Sequence, residues 1–238
     1  MPTTDSILSR NIALLIDADN SRADSLDDVL TILGDLGTVN IRRAYGNWSK
    51  PGLKGWSAII HRHAIEPQQQ FDITKGKNAT DMRMTIDAMD LLYAGHVDGF
   101  GIMSSDSDFM PIAMRIRQNG LPVYGFGSGK TPEGFRQACT RFIDVSAVAA
   151  AEVEDEDAPQ AKLQVGPELV KLLGDAWKAS RRDEHGFTTI SEMGQRAANR
   201  SSFDARSYGF SRLSDLLASL PNFEVQKREG GMYVKRMR

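Results

Sequence analysis

The chain's 238 residues are long for one compact unit and comfortable for two. With 41% hydrophobic and 25% charged residues the composition is that of a globular protein, and the longest apolar runs, such as residues 11–16, fall far short of the ~20 that a membrane-spanning helix needs. One cysteine, Cys139, excludes an internal disulfide and a cysteine-held metal cluster; the polar start lacks a secretory signal, so the expected location is the cytoplasm, with no membrane contact. The net charge of −2 hides an asymmetry: from Val165 onward 13 Lys/Arg stand against 9 Asp/Glu, which leaves −6 on the rest. A basic module tethered to an acidic one suggests that the basic part touches phosphates.

In chain order, residues 12–16 read as a buried strand ending at Asp17. Residues 25–33 have helical spacing, with Leu26, Val29, Leu30 and Leu33 on one face and Ser25 as N-cap. Residues 39–45 alternate like a strand, a helix follows Pro51, and residues 65–71 form another strand. Residues 81–93 are strongly helical, with Met82, Ile86, Met89 and Leu92 at core spacing. Residues 99–103 are the next buried strand, residues 109–119 a helix closed by Gly120, and residues 121–126 a further strand. Strand–helix alternation of this kind predicts a parallel sheet covered on both faces.

Residues 149–164 break the pattern. Glu152, Glu154, Asp155, Glu156 and Asp157 repel one another before Pro159, which predicts a flexible linker. The remainder, 165–238, is built differently. Pro167 opens a helix with Leu169, Leu172, Leu173 and Trp177 on one side. A second helix follows with Ser191 near its cap, and a third runs over residues 208–220 until Pro221. Segments on either side of Gly230-Gly231 form a hairpin. Three helices and a hairpin describe a winged helix.

Asp17 and Asp19 leave the end of the first strand, Asp106 and Asp108 leave the strand through Met103, and Asp81 opens a long helix. Ligand sites in such α/β folds lie beyond the carboxyl ends of the strands, near the switch in strand order. Carboxylates gathered there resist ionisation unless a cation sits among them, and hard oxygen donors without nearby His or Cys select Mg²⁺ or Mn²⁺. Such an ion activates water and holds a phosphodiester. Asp87 and Asp90 fall on other faces of the helix from Asp81 and stay outside this set. His61 and His63 cannot share a helix face, which argues against a zinc pair. Trp48 and Trp56 could stack bases or pack on the sheet.

Asp17-Ala18-Asp19-Asn20, Gly76-Lys77-Asn78-Ala79-Thr80-Asp81 and Ser104-Ser105-Asp106-Ser107-Asp108-Phe109 together resemble the ordered motifs of NYN domains, including the LabA-like group. The resemblance covers residues 10–145 and implies a PIN-like α/β fold, a parallel sheet flanked by helices, spanning residues 1–148. It implies a ribonuclease with Asp17, Asp81, Asp106 and Asp108 as catalytic metal ligands, supported by Asn20 and Ser104, and Lys77 as a phosphate contact. Asp19 occupies a variable slot of the motif, which points to a role beside the ligands. Residues 165–238, through the helix ending at Trp177, Tyr208-Gly209-Phe210 and the segment at Phe223, resemble the OST-HTH/LOTUS domain. That likeness implies RNA or protein-partner binding without catalysis, and Arg206, Arg212, Lys227, Arg228, Lys235 and Arg236 are the candidate RNA contacts.

Two other functions compete. Asp17-Ala18-Asp19 after a strand resembles the nucleophile and acid pair of haloacid-dehalogenase-like phosphatases, which expect Thr or Val where Ser21 stands and leave Asp81 unexplained. A catalytically silent RNA-binding adaptor would keep the fold without turnover.

Overall fold

The computed structural model describes residues 10–71, 78–146, 148, 166–228 and 230–237. Lys77 and the acidic stretch 149–164 lie outside the described residues. The chain divides into two compact units, Met1–Ser146 and Ala147–Arg238.

The described part of the first unit forms a six-stranded, all-parallel sheet in the order β3-β2-β1-β4-β5-β6. The strands are β1 (Asn11–Asp17), β2 (Thr38–Gly46), β3 (Glu66–Gln69), β4 (Gly99–Met103), β5 (Val123–Gly127) and β6 (Arg141–Asp144). The helices are α1 (Leu26–Gly34), α2 (Lys54–Ile59), α3 (Ala79–Ala94), α4 (Met110–Gln118) and α5 (Glu133–Ala138). β1 and β4 are buried almost throughout, as strands covered on both faces must be. One face carries Ala13, Leu15, Phe100 and Ile102 into a core with Met84, Ala88, Leu92, Ile112, Ile116 and Phe135 from α3, α4 and α5. Strand order reverses between β1 and β4, so the loops leaving these neighbours diverge and open a crevice above them.

Several expectations need correction. Ser25 precedes α1, yet its side chain makes no capping bond, and Ile32 is buried in place of Leu30. In α3 the buried residues are Thr80, Met84, Asp87, Ala88 and Leu92, whereas Met82 and Ile86 are exposed. Asp87 hides the true core face from a hydrophobicity reading. It is buried because Tyr45 Oη donates to it at 3.0 Å while Arg43 and Arg83 lie 3.4 and 3.3 Å away. Gly95, at φ 71°, closes this helix in the left-handed region that a side chain resists.

The second unit comprises α6 (Pro167–Ala179), β7 (Thr188–Thr189), α7 (Ile190–Ala198), α8 (Leu213–Ala218), β8 (Phe223–Arg228) and β9 (Gly231–Arg236). Its strands form an antiparallel sheet, β7-β9-β8, on a core of Leu169, Leu173, Met193, Leu216, Leu217 and Val234. This is the expected winged helix with two local differences. Thr189, not Ser191, caps α7 by accepting from Glu192 N at 3.2 Å. The third helix is shorter than predicted, because Gly209 turns left-handed (φ 78°) after a 3-10 turn at Ala205–Tyr208. Among the described residues, no helix is long and apolar enough to cross a membrane.

Candidate metal centre

Three chain segments meet at the crevice: the end of β1, the first turn of α3 and the loop after β4. Asp17 ends β1 fully buried. Ser104 Oγ donates to its Oδ2 at 2.7 Å and Asn20 N to its Oδ1 at 3.2 Å. Burial nevertheless outweighs these bonds and pushes the Asp17 carboxyl above the usual carboxylate range. Ser104 Oγ also accepts from Asp106 N at 3.0 Å, so one hydroxyl ties the β1 carboxylate to the β4 loop. Asp106 caps the following turn by accepting from Asp108 N at 2.9 Å.

Asp81, Asp106 and Asp108 each offer one carboxylate oxygen, and these atoms lie within 4.8 Å of one another. Burial, followed by the charges of Asp17, Asp106, Asp108 and Asp19, pushes the Asp81 carboxyl up to about 6. Among the described residues no Lys or Arg forms an ion pair with any of the three. Their set is all oxygen, part exposed and negatively charged, which suits a hard divalent cation. Asp17 stands behind them: its field reaches Asp81, but its oxygens are engaged by Ser104 and Asn20 and it does not join the group of three.

Three flanking residues escaped the sequence reading as site components. Asn78 Nδ2 donates to Asp108 Oδ2. Thr80 Oγ1 donates to Asp19 at 3.2 Å, and Lys50 Nζ lies 3.6 Å from the same carboxylate. Asn78 and Thr80 sit in the motif that ends at Asp81, so their position was available; their side-chain directions were not. Gly127, beside this region, has no room for a side chain, since an added Cβ would come 2.8 Å from Ser104 O and 2.6 Å from Thr131 Oγ1.

Trp56 is buried and donates to Ser21 O at 3.2 Å, which makes it a packing residue.

The basic residues of the second unit divide by their surroundings. Arg228 is bonded to Asp183 at 2.6 Å and lies 4.0 Å over the Phe187 ring. Arg206 pairs with Asp204 at 3.6 Å, and Arg236 lies against Gly174, where an added Cβ would collide with its guanidinium. Lys235 lies 5.5 Å over Phe187, whereas Arg212 and Lys227 are exposed.

The family model of the NYN domain matches residues 11–148, more than half of the chain. The chain belongs to the NYN family. The NYN domain is a branch of the PIN-like nuclease superfamily, and the six-stranded parallel sheet is consistent with that fold. The family model of the OST-HTH/LOTUS domain matches residues 165–235. Uncharacterized protein MJ0482 of Methanocaldococcus jannaschii is 28% identical over 137 residues, 56% of this chain and 52% of that protein. The NYN chain thus spans about half the length of this curated relative. Among solved structures, a protein of unknown function, VPA0982 from Vibrio parahaemolyticus, is similar at a TM-score of 0.49 and 19% identity, over 58% of this chain and 93% of that one.

Proposed function

We propose that the NYN unit is a ribonuclease that hydrolyses RNA phosphodiester bonds with Mg²⁺ or Mn²⁺ held by Asp81, Asp106 and Asp108. The observation that carries this reading is the meeting of three carboxylates at the β1/β4 crevice with no cationic partner among the described residues. A bound ion supplies Lewis acidity and a water of lowered pKa. Asp17 adds negative potential behind the three ligands, and Ser104 and Asn20 fix its orientation, as supporting groups around metal sites do. Asn78 aligns Asp108. Lys50 and Thr80 hold Asp19 at the margin of the cluster. The phosphatase alternative fares poorly on the same geometry, since a nucleophilic Asp17 would need an exposed oxygen and the residue is fully buried.

The OST-HTH/LOTUS unit serves in this proposal as the RNA-binding module. Arg212 and Lys227, exposed on its surface, are the first phosphate contacts to test, with Lys235 after them. Residues 149–164 tether it to the nuclease unit, so that residues 1–148 carry the chemistry and residues 165–238 the affinity. A protein partner on that unit is the competing use. The decisive assay incubates single-stranded RNA with full-length protein, with and without chelator. Cleavage that needs Mg²⁺ or Mn²⁺ and disappears in Asp106→Asn supports the proposal. Cleavage by Asp106→Asn at the wild-type rate contradicts it, and absence of cleavage by the metal-loaded wild type favours the silent adaptor.

A further inference from the structure

Helix α3 carries a line of apolar side chains, three of them turned away from the core and the fourth, Met89, packed against its edge. Met82, Ile86 and Tyr93 are 66%, 52% and 60% exposed, and Met89 between them is half-buried. Steps of four, three and four residues keep all four within about 60° of arc on the helix, and this is the seam spacing of paired helices. A single exposed apolar residue is ordinary; four at this spacing on one helix form a continuous stripe. Arg115 of α4 steadies its far end, donating to Tyr93 Oη with the guanidinium 5.8 Å over the ring.

Two features point to a single occupant. The seam is symmetric under an antiparallel pairing: an axis between Asp87 and Ala88 sets Met82 against Tyr93 and Ile86 against Met89. The charges beside it are self-complementary as well. Arg83 follows Met82 and Asp90 follows Met89, so both lie on the same flank. Antiparallel helices bring like flanks together, which places Arg83 of each copy opposite Asp90 of the other. Arg83 is half exposed and its Nε side meets Asp87 at 3.3 Å, while a guanidinium has donors for a second carboxylate. Asp90 is exposed.

We propose that α3 docks on α3 of a second copy of this chain as an antiparallel pair. The apolar seam supplies the association, and the two Arg83–Asp90 pairs set its direction. Both ends of the seam then bring Tyr93 of one copy against Met82 of the other, one residue from Asp81.

Sedimentation of the full-length protein tests this directly. The expected result is a mass of two chains for the wild type, falling to one chain for Ile86→Asp, an exposed position where the change leaves the core alone. Asp90→Arg opposes two arginines at each of the two pairs on that flank and is expected to weaken association about tenfold. Direction is read by oxidative cross-linking: Met82→Cys mixed with Tyr93→Cys yields a disulfide-linked pair, and neither variant alone does. A wild type that stays a single chain overturns the proposal, including the case in which Ile86→Asp lowers RNA affinity instead. So does a dimer that Ile86→Asp leaves intact, or cross-linking of Met82→Cys with itself.

Discussion

The two units treat the same side chain, a carboxylate, in opposite ways. In the OST-HTH/LOTUS unit Asp183 accepts from Phe187 N at 2.8 Å, His185 N at 2.9 Å and Arg228 at 2.6 Å. Glu192 accepts from Arg181 N at 3.0 Å and Arg196 at 2.9 Å. Backbone N–H bonds, helped by the arginines, hold both below the ordinary carboxylate range. In the NYN unit Asp17 and Asp81 are both pushed up, chiefly by burial. That unit does not lack arginine, since Asp87 is met by Arg43 and Arg83. Arginine is therefore supplied where a carboxylate is structural and, among the described residues, withheld where carboxylates gather. Such local violations of good packing chemistry mark functional sites more often than structural ones.

The comparison breaks if carboxylates of the two kinds respond alike to substitution. Asp81→Asn is expected to lower RNA cleavage by more than about 100-fold, beyond what loss of a ligand's supporting bond costs. Asp183→Asn is expected to leave the rate at saturating RNA unchanged; initial rates with Mg²⁺ measure both. Ser104→Ala, which frees Asp17 from its hydroxyl, is expected to cost about 10- to 100-fold in metal affinity or rate. Removing residues 165–238 is expected to weaken RNA binding while saturated cleavage persists. Each phosphate-binding side chain removed, with Lys227→Ala as the simplest case, is expected to lower the log–log salt slope by ~0.7, as read from titrations at two salt concentrations.

The smallest effect is one of sign. The raised Asp81 carboxyl destabilises the metal-free NYN unit when ionised, a penalty present above about pH 6 and relieved as pH falls through that value toward the ordinary carboxyl range. The isolated metal-free unit is expected to melt higher at about pH 5 than at about pH 7.5, and Mg²⁺ to abolish that gain. Asp183 and Glu192 are lowered, so their stabilisation is complete above the ordinary carboxyl range and is lost as pH falls below about 4. Melting each unit alone across pH measures the contrast.

Strands β1 and β4 were legible because a strand covered on both faces is a short unbroken apolar run, and Asp17 and Asp106 follow directly from where those runs stop. Their convergence depended on β1 and β4 being neighbours, which the sequence left open and the strand order supplies. The core face of α3 was legible only in part. Of the expected stripe, Leu92 is buried and Met89 packs against the core, while Met82 and Ile86 are exposed, because the face that packs also carries Asp87 and small Ala88. Of the partners that let Asp87 be buried, only Arg83 is local; Tyr45 and Arg43 come from β2, 42 and 44 residues away, where the helix pattern leaves no mark of them. Caps failed for a similar reason: Ser25, Thr189 and Ser191 all carry a hydroxyl that can accept, and backbone direction selects Thr189 although serine is the commoner cap. The residues that align the carboxylates, Asn78 and Thr80, are polar side chains in a loop and a first turn, where sequence says nothing of orientation.

The central claim is that Asp81, Asp106 and Asp108 hold a divalent ion, and Mn²⁺ binding followed by electron paramagnetic resonance tests it most directly. Wild-type protein is expected to remove Mn²⁺ from the free pool, with Mg²⁺ competing, and both Asp81→Asn and Asp106→Asn to lose that uptake while remaining folded. Equal uptake by the variants, or none by a wild type that cleaves RNA under the same conditions, would contradict the account.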